Sequence, residues 1–203
     1  MKILIASHNC HKIQEIRDIF DLPGVEWVST AEFPDVGEVE EDGETFEANA
    51  LKKATELARA TGLWALADDS GLEVTALGNA PGVFSARYAG EPCNHARNNT
   101  KLLSDFKGHA DRSARFRCVV ALSDPAGHAE TVSGSCPGHI IEQLRGTEGF
   151  GYDPLFVPEG YDTTFAEMGS AQKNQLSHRG RALARAREKW GAMIASNAAA
   201  FPV

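Results

Sequence analysis

A chain of 203 residues, 42% of them hydrophobic, can bury one sizeable core or two lobes sharing a sheet. It is too short for two ordinary domains, so residues 1–203 are expected to form a single domain. A net charge of −8 argues against a broad basic face for nucleic acid, although a few focused lysines can still hold a small phosphorylated ligand. The four cysteines, Cys10, Cys93, Cys118 and Cys136, are far apart and lack Cys-x-x-Cys spacing; they read as reduced thiols, mostly packing residues, and not as a zinc site or disulfide frame.

The opening Ile3 to Ala6 is a short apolar run followed at once by Ser7-His8-Asn9. That is too short for a signal peptide or a membrane span, so a cytoplasmic protein without a membrane partner is expected. Ile3 to Ala6 reads as a buried strand, and Ile13, Ile16 and Phe20 recur at helical spacing, which leaves Ser7 to Lys12 as a strand-to-helix loop. Such a loop aims backbone N–H groups and the helix dipole at its mouth, and Lys12 adds a charge suited to phosphate. It matches neither the Walker pattern nor the dinucleotide fingerprint, so a plain capped turn is the competing reading. His8 and His11 lack a third ligand of the same kind for zinc.

Leu22-Pro23-Gly24 breaks this helix, and Val25 to Val28 reads as a second strand. The acidic segment Glu32 to Gly43 precedes a helix from about Thr45 to Thr61 that stops at Gly62, with Phe46, Ala50, Ala54 and Leu57 as its apolar stripe. Asn49, Lys53 and Glu56 fall on another stripe, either a solvated face or a pair of residues, Asn49 and Lys53, aimed at one target.

Leu63 to Ala67 reads as a buried strand that stops at Asp68-Asp69-Ser70-Gly71, where ligands of open α/β sheets collect. Two adjacent acids are costly to desolvate without a cationic offset, of which a hard divalent metal is the simplest; a capping Asp68 with a solvated Asp69 is the competing reading. Leu72 to Leu77 alternates as a further strand, Gly78 to Gly82 turns, and Asn94 to Lys107 forms a polar helix. Strands at Phe116–Leu122 and Glu130–Cys136 flank the hairpin turn Asp124 to Gly127, which makes the sheet mixed and the class α/β. Gly149 to Phe156 sets glycines around aromatics and a carboxylate, a composition suited to a flat ligand or to an aromatic turn. Lys173 to Gly180 leads into a last helix with Ala182, Ala186, Trp190 and Met193 on one side. Ser177 reads as its N-cap, and His178 and Arg179 in its first turn oppose the helix dipole, which suits a ligand better than stability. The absence of a Gly-x-Ser-x-Gly elbow counts against a serine hydrolase using Ser70 and His178.

Six motifs follow in order from Ser7 to Leu183, Ser-His-Asn-x-x-Lys, Glu-Asp-Gly-x-Thr-Phe-Glu-x-Asn-Ala-x-x-Lys, Asp-Asp-Ser-Gly-Leu-Glu-Val, Pro-Gly-Val-x-Ser-Ala-Arg-Tyr-Ala-Gly, Phe-Gly-Tyr-Asp-Pro and Ser-His-Arg-Gly-x-Ala-Leu. Together they resemble the inosine/xanthosine triphosphate pyrophosphatases, the enzymes of non-canonical purine nucleotides. Thr75 stands where many relatives carry an acidic residue, which touches nothing catalytic. The resemblance implies Mg²⁺-dependent hydrolysis of ITP, dITP and XTP to monophosphate and pyrophosphate by a homodimer, on a long mixed sheet that floors a cleft between two lobes and is flanked by helices. It implies Asp69 as the base that activates water, Glu41 and Asp69 near the metal, and Asp68 as a helper. Ser7, His8, Asn9, Cys10, His11, Lys12, Lys53 and Ser70 would handle the triphosphate. Phe150, Gly151, Tyr152, Asp153, Lys173, His178 and Arg179 would form the base pocket and its surroundings.

These residue types suit that chemistry. A metal and Lys12, Lys53 and Lys173 can offset a triphosphate and the charge that develops on leaving pyrophosphate. Donors such as His178 and Arg179 pair with the O6 of a 6-oxo purine and reject the amino group of adenine.

Overall fold

The apolar run Ile3-Leu4-Ile5 forms β1 (Lys2–Ile5), buried at all three positions. It opens a computed structural model that describes residues 1–196 and 201. Asn9 caps α1 (Cys10–Ile19), and β2 (Glu26–Ser29) follows. α2 (Phe46–Thr61) starts where the Thr45 hydroxyl accepts the Ala48 N–H at 3.1 Å. It ends at Gly62, whose φ of 68° lies in the left-handed region that glycine enters without a Cβ penalty. Phe46, Ala50, Ala54 and Leu57 are buried as the periodicity predicts.

β3 (Trp64–Val74) overturns one expectation. The strand does not stop at Asp68: eleven residues run without a break through Asp68-Asp69-Ser70-Gly71 to Val74, and residues 75–77 form a 3-10 turn instead of a second strand. Sheet hydrogen bonds satisfy the backbone whatever the side chains are, so buried acids with cationic partners need not end a strand. The acids therefore sit within the strand and not beyond its end.

α3 (His95–Asp105) begins on Asn94, whose side chain accepts the Arg97 N–H. β4 (Ser113–Ser123) and β5 (Ala129–Ile140) each run several residues past the predicted strands, and the turn between them is closed by Gly127 N–H to Asp124 O at 3.0 Å. β6 (Phe156–Pro158), α4 (Ser170–Leu176) and α5 (His178–Ala195) complete the order. Neither β6 nor α4 was expected. Three apolar residues carry no readable period, and the stretch ahead of α5, read only as leading into the last helix, is a short helix that presents Lys173. Cys118 and Cys136 are buried packing residues as expected, but Cys10 and Cys93 are exposed, which corrects the reading of the cysteines.

The sheet order is β2-β1-β3-β4-β5-β6. β1 pairs with β2 and β3 in parallel, β5 and β6 pair antiparallel, and the five-residue turn joining β4 to β5 permits only antiparallel neighbours. The sheet is mixed, as the hairpin signal indicates.

Two compact units divide the chain: Met1–Asp69 with Cys118–Gly134 and Gly180–Val203, and Ser70–Arg117 with Ser135–Arg179. The first builds its core from Ile3, Ile5, Phe20, Leu66, Val120 and Trp190. The second builds its own from Leu72, Leu102, Phe116, Ile140, Phe156 and Phe165. No helix among the described residues is long and apolar enough to cross a membrane.

Candidate active site

Two polar clusters stand out, one in each unit. In the first, β3 presents Asp68 and Asp69, 1% and 5% exposed, and α2 presents Asn49 and Lys53, 0% and 8% exposed. The stripe of Asn49 and Lys53 is therefore buried against polar partners, while Glu56 alone reaches solvent. The Lys53 ammonium donates to Glu41 Oε1 at 2.5 Å and to the Asp68 carbonyl at 2.7 Å. Lys12, from the first turn of α1, lies 3.3 Å from Asp68 Oδ2, and the Cys118 thiol lies 3.9 Å from the same oxygen. The Asn49 carboxamide donates to Asp69 Oδ2 at 2.9 Å.

Electrostatics distinguishes these groups. Burial raises the Asp69 carboxyl above its ordinary range and Glu41 adds to the effect, outweighing the opposing pull of Lys53, Lys12 and the Asn49 hydrogen bond. Burial works to strip Lys53 of its proton, but Glu41, Asp68 and Asp69 more than compensate and hold it charged. Three carboxylates face two ammonium groups.

The remaining loop residues are placed differently. Asn9 Oδ1 accepts the His11 and Lys12 N–H groups at 3.0 and 3.3 Å, so the Ser7–Lys12 loop is a capped turn that delivers Lys12. Ser7 Oγ accepts the Asn9 N–H, whereas His8, Cys10 and His11 are exposed, with His8 3.7 Å from Glu38.

In the second unit, Asp153 Oδ2 accepts the Phe150 N–H and the Lys173 ammonium, both at 2.8 Å. Gly149 has φ +73°, and a Cβ there would run into that carboxylate. Lys173 and Arg179 lie 4.9 and 5.8 Å from the half-buried Phe150 ring, which makes it a platform edged by cations. Arg179 Nη2 donates to Ser70 Oγ at 2.9 Å. The His178 ring stacks on Phe116 at 4.7 Å and 11°. Tyr152 turns inward and donates to the Ser85 carbonyl, and the Gly151 carbonyl accepts from Asn99, so these two residues brace the platform loop.

The structure thus gathers Lys12, Glu41, Lys53, Asp68 and Asp69 in one unit, and Ser70, Phe150, Asp153, Lys173, His178 and Arg179 in the other. Phe116 and Asn99 had no sequence signal: one reads as a strand hydrophobe and the other as a polar helix residue, and their partners lie far away in the chain.

For a divalent cation, the first cluster supplies carboxylate oxygens, the hard donors that Mg²⁺ requires. Among the described residues there is no group of three or more His, Cys, Asp and Glu side chains arranged to hold a metal unaided.

The molecule is thus an α/β protein with a buried cluster of carboxylates and lysines in one unit and an aromatic ring edged by cations in the other. The chain belongs to the Ham1 family, whose model matches residues 3–189. It is 52% identical over 190 residues to the dITP/XTP pyrophosphatase of Desulforamulus reducens, covering 93% of this chain and 94% of that one. It is 50% identical over 192 residues to the protein of the same name from Geobacter sulfurreducens, covering 94% and 96%. Among solved structures, the Ham1 protein of Staphylococcus aureus matches with a TM-score of 0.87 at 39% identity over 95% of this chain and 100% of that chain. The dITP/XTP pyrophosphatase of Mycobacterium abscessus matches with 0.77 at 45% identity over 92% and 98%.

Proposed function

We propose that this protein hydrolyses the non-canonical purine triphosphates ITP, dITP and XTP to the nucleoside monophosphate and pyrophosphate, the whole chain acting as one catalytic domain. The observation that carries the reading is the buried Asp69 beside Glu41, Lys12 and Lys53, in a chain about half identical to proteins named dITP/XTP pyrophosphatase.

Asp69 takes a proton from a water molecule as that water attacks the α-phosphorus. The α-phosphorus to bridging-oxygen bond then breaks, and pyrophosphate leaves with the bonding electron pair. A carboxyl lifted by burial is a stronger base than an ordinary one and lies nearer the working pH. Lys12 and Lys53, held in place by Asp68 and Glu41, turn to the phosphates and offset the charge gathering on the leaving group. Glu41 and Asp69 would hold Mg²⁺, which makes a bound water more acidic and neutralises phosphate charge. Phe150 supports the base by stacking, while His178, Arg179 and Lys173 donate to its oxo groups and so disfavour adenine. We take the enzyme to be a cytoplasmic homodimer, and light scattering after size exclusion tests the dimer.

The test is purified protein with Mg²⁺ and each of ITP, dITP, XTP, ATP, GTP, CTP and UTP, with products resolved by chromatography. Monophosphate and pyrophosphate from the first three are expected. Orthophosphate as the sole phosphate product, or a preference for ATP, overturns the reading.

A further inference from the structure

Asn49 is the most deeply buried side chain of the first cluster. Its two polar ends go to different places. Nδ2 donates to Asp69 Oδ2 at 2.9 Å, and Oδ1 accepts the Gly43 N–H at 2.8 Å. Gly43 lies two residues beyond Glu41, whose carboxylate meets Lys53 one helical turn along from Asn49. α2 therefore grips the acidic segment at two points, through Asn49 at Gly43 and through Lys53 at Glu41, and from the same face it bonds Asp69 and the Asp68 carbonyl.

The close approach at Gly43 is a separate observation. A Cβ at that position would lie 2.6 Å from Asn49 Oδ1 and 2.9 Å from the Ala48 Cβ, contacts that require something to shift. Only glycine lets the backbone come near enough to use the carboxamide as it does. A residue that served helix stability alone would need neither a buried carboxamide nor a bare backbone opposite it.

We propose that Asn49 is a positioning residue for the reaction. Its carboxamide fixes the rotation of the Asp69 carboxylate and ties it to the acidic segment that carries Glu41, so the base and its neighbouring acid keep one geometry as substrate binds. Asn49 does not touch the substrate and acts through Asp69. The inference rests on the reading of Asp69 as the base.

The test compares Asn49→Ala, Asn49→Ser, Gly43→Ala and Asp69→Asn with the parent enzyme. The readouts are kcat and KM on ITP, the thermal midpoint, and Mg²⁺ binding by calorimetry. A misaligned base predicts that Asn49→Ala lowers kcat by roughly 10- to 100-fold while KM stays within about threefold. Asn49→Ser, which keeps a short polar group, recovers part of kcat. Gly43→Ala lowers kcat in the same direction by pushing on Oδ1 from the other side, and it decides the matter if the Asn49 variants do not fold. Mg²⁺ affinity falls in Asn49→Ala because the two acids lose their common tether. Folded Asn49→Ala and Gly43→Ala with kcat within about twofold of the parent, beside an inactive Asp69→Asn, overturn the positioning role and leave the base assignment standing. An active Asp69→Asn overturns both.

Discussion

At Asp69, burial sets the proposed role of the side chain against the stability of the fold. Its carboxyl is raised first by burial and then by Glu41, so in the folded chain it binds a proton more readily than in the unfolded one. The sign of its effect follows: the ionised side chain weakens the fold at pH values above its folded-state range, and the penalty vanishes as pH falls below about 3.9, where both states are protonated. Asp69→Asn removes the charge and can still accept from Asn49. We expect it to raise the thermal midpoint at pH 7, with the gain shrinking toward pH 4, while turnover of ITP falls by at least about 100-fold, the lower end of what a general base contributes. Calorimetric scans at both pH values check the first part and steady-state kinetics the second. The Asp68-Asp69 pair was legible in the sequence because two adjacent acids after an apolar run need an explanation. Its place within β3 was not, since the polar side chains mimic a strand end and their partners Lys12, Lys53 and Asn49 come from other elements.

Among the elements, those with strong local signals were legible. α2 announced itself by an apolar stripe bounded by Thr45 and Gly62, and both act as caps. α4 and β6 were not readable, because seven residues without an apolar period and three residues of strand depend on tertiary pairing, as between Val157 and His139. The attachment of α5 is likewise a long-range matter. Glu130 on β5 accepts from Trp190 Nε1 at 3.0 Å and lies 2.9 Å from Lys189, and the Trp190 bond, followed by the Lys189 one, lowers its carboxyl below the ordinary range. The folded state therefore favours ionised Glu130, a stabilising effect complete above the unfolded-state value of about 4.3 and lost as pH falls through the lower folded value. Glu130→Gln keeps an acceptor for Trp190 but drops the charge. It should lower the urea midpoint at pH 7 and leave it nearly unchanged at pH 3. The loss should be under about 1 kcal/mol, because a pair this exposed is well screened by water.

At the scale of the whole molecule, composition allows two lobes on one sheet but does not say which stretch joins which. The reason is physical: β3, β4 and β5 each give residues to both units, so each unit is assembled from separate pieces of chain. The proposed chemistry can be sorted by substrate, since phosphates are common to all nucleoside triphosphates and only the base differs among them. Lys53, bonded to Glu41 and Asp68 in the first unit, should serve every triphosphate alike. Lys53→Met is thus expected to lower kcat/KM for ITP, XTP and ATP by one common factor, roughly 100-fold or more for a buried cation that stabilises leaving-group charge. His178, stacked on Phe116 in the second unit, should act on the ratio instead. His178→Leu removes the proposed donor to the purine oxo group, and losing one such hydrogen bond, worth about 1 to 2 kcal/mol, should cut the preference for ITP over ATP by roughly 10-fold. Measuring kcat/KM for the three substrates on each variant separates the two effects. A changed ratio in Lys53→Met, or an unchanged one in His178→Leu, contradicts the roles proposed for these two residues.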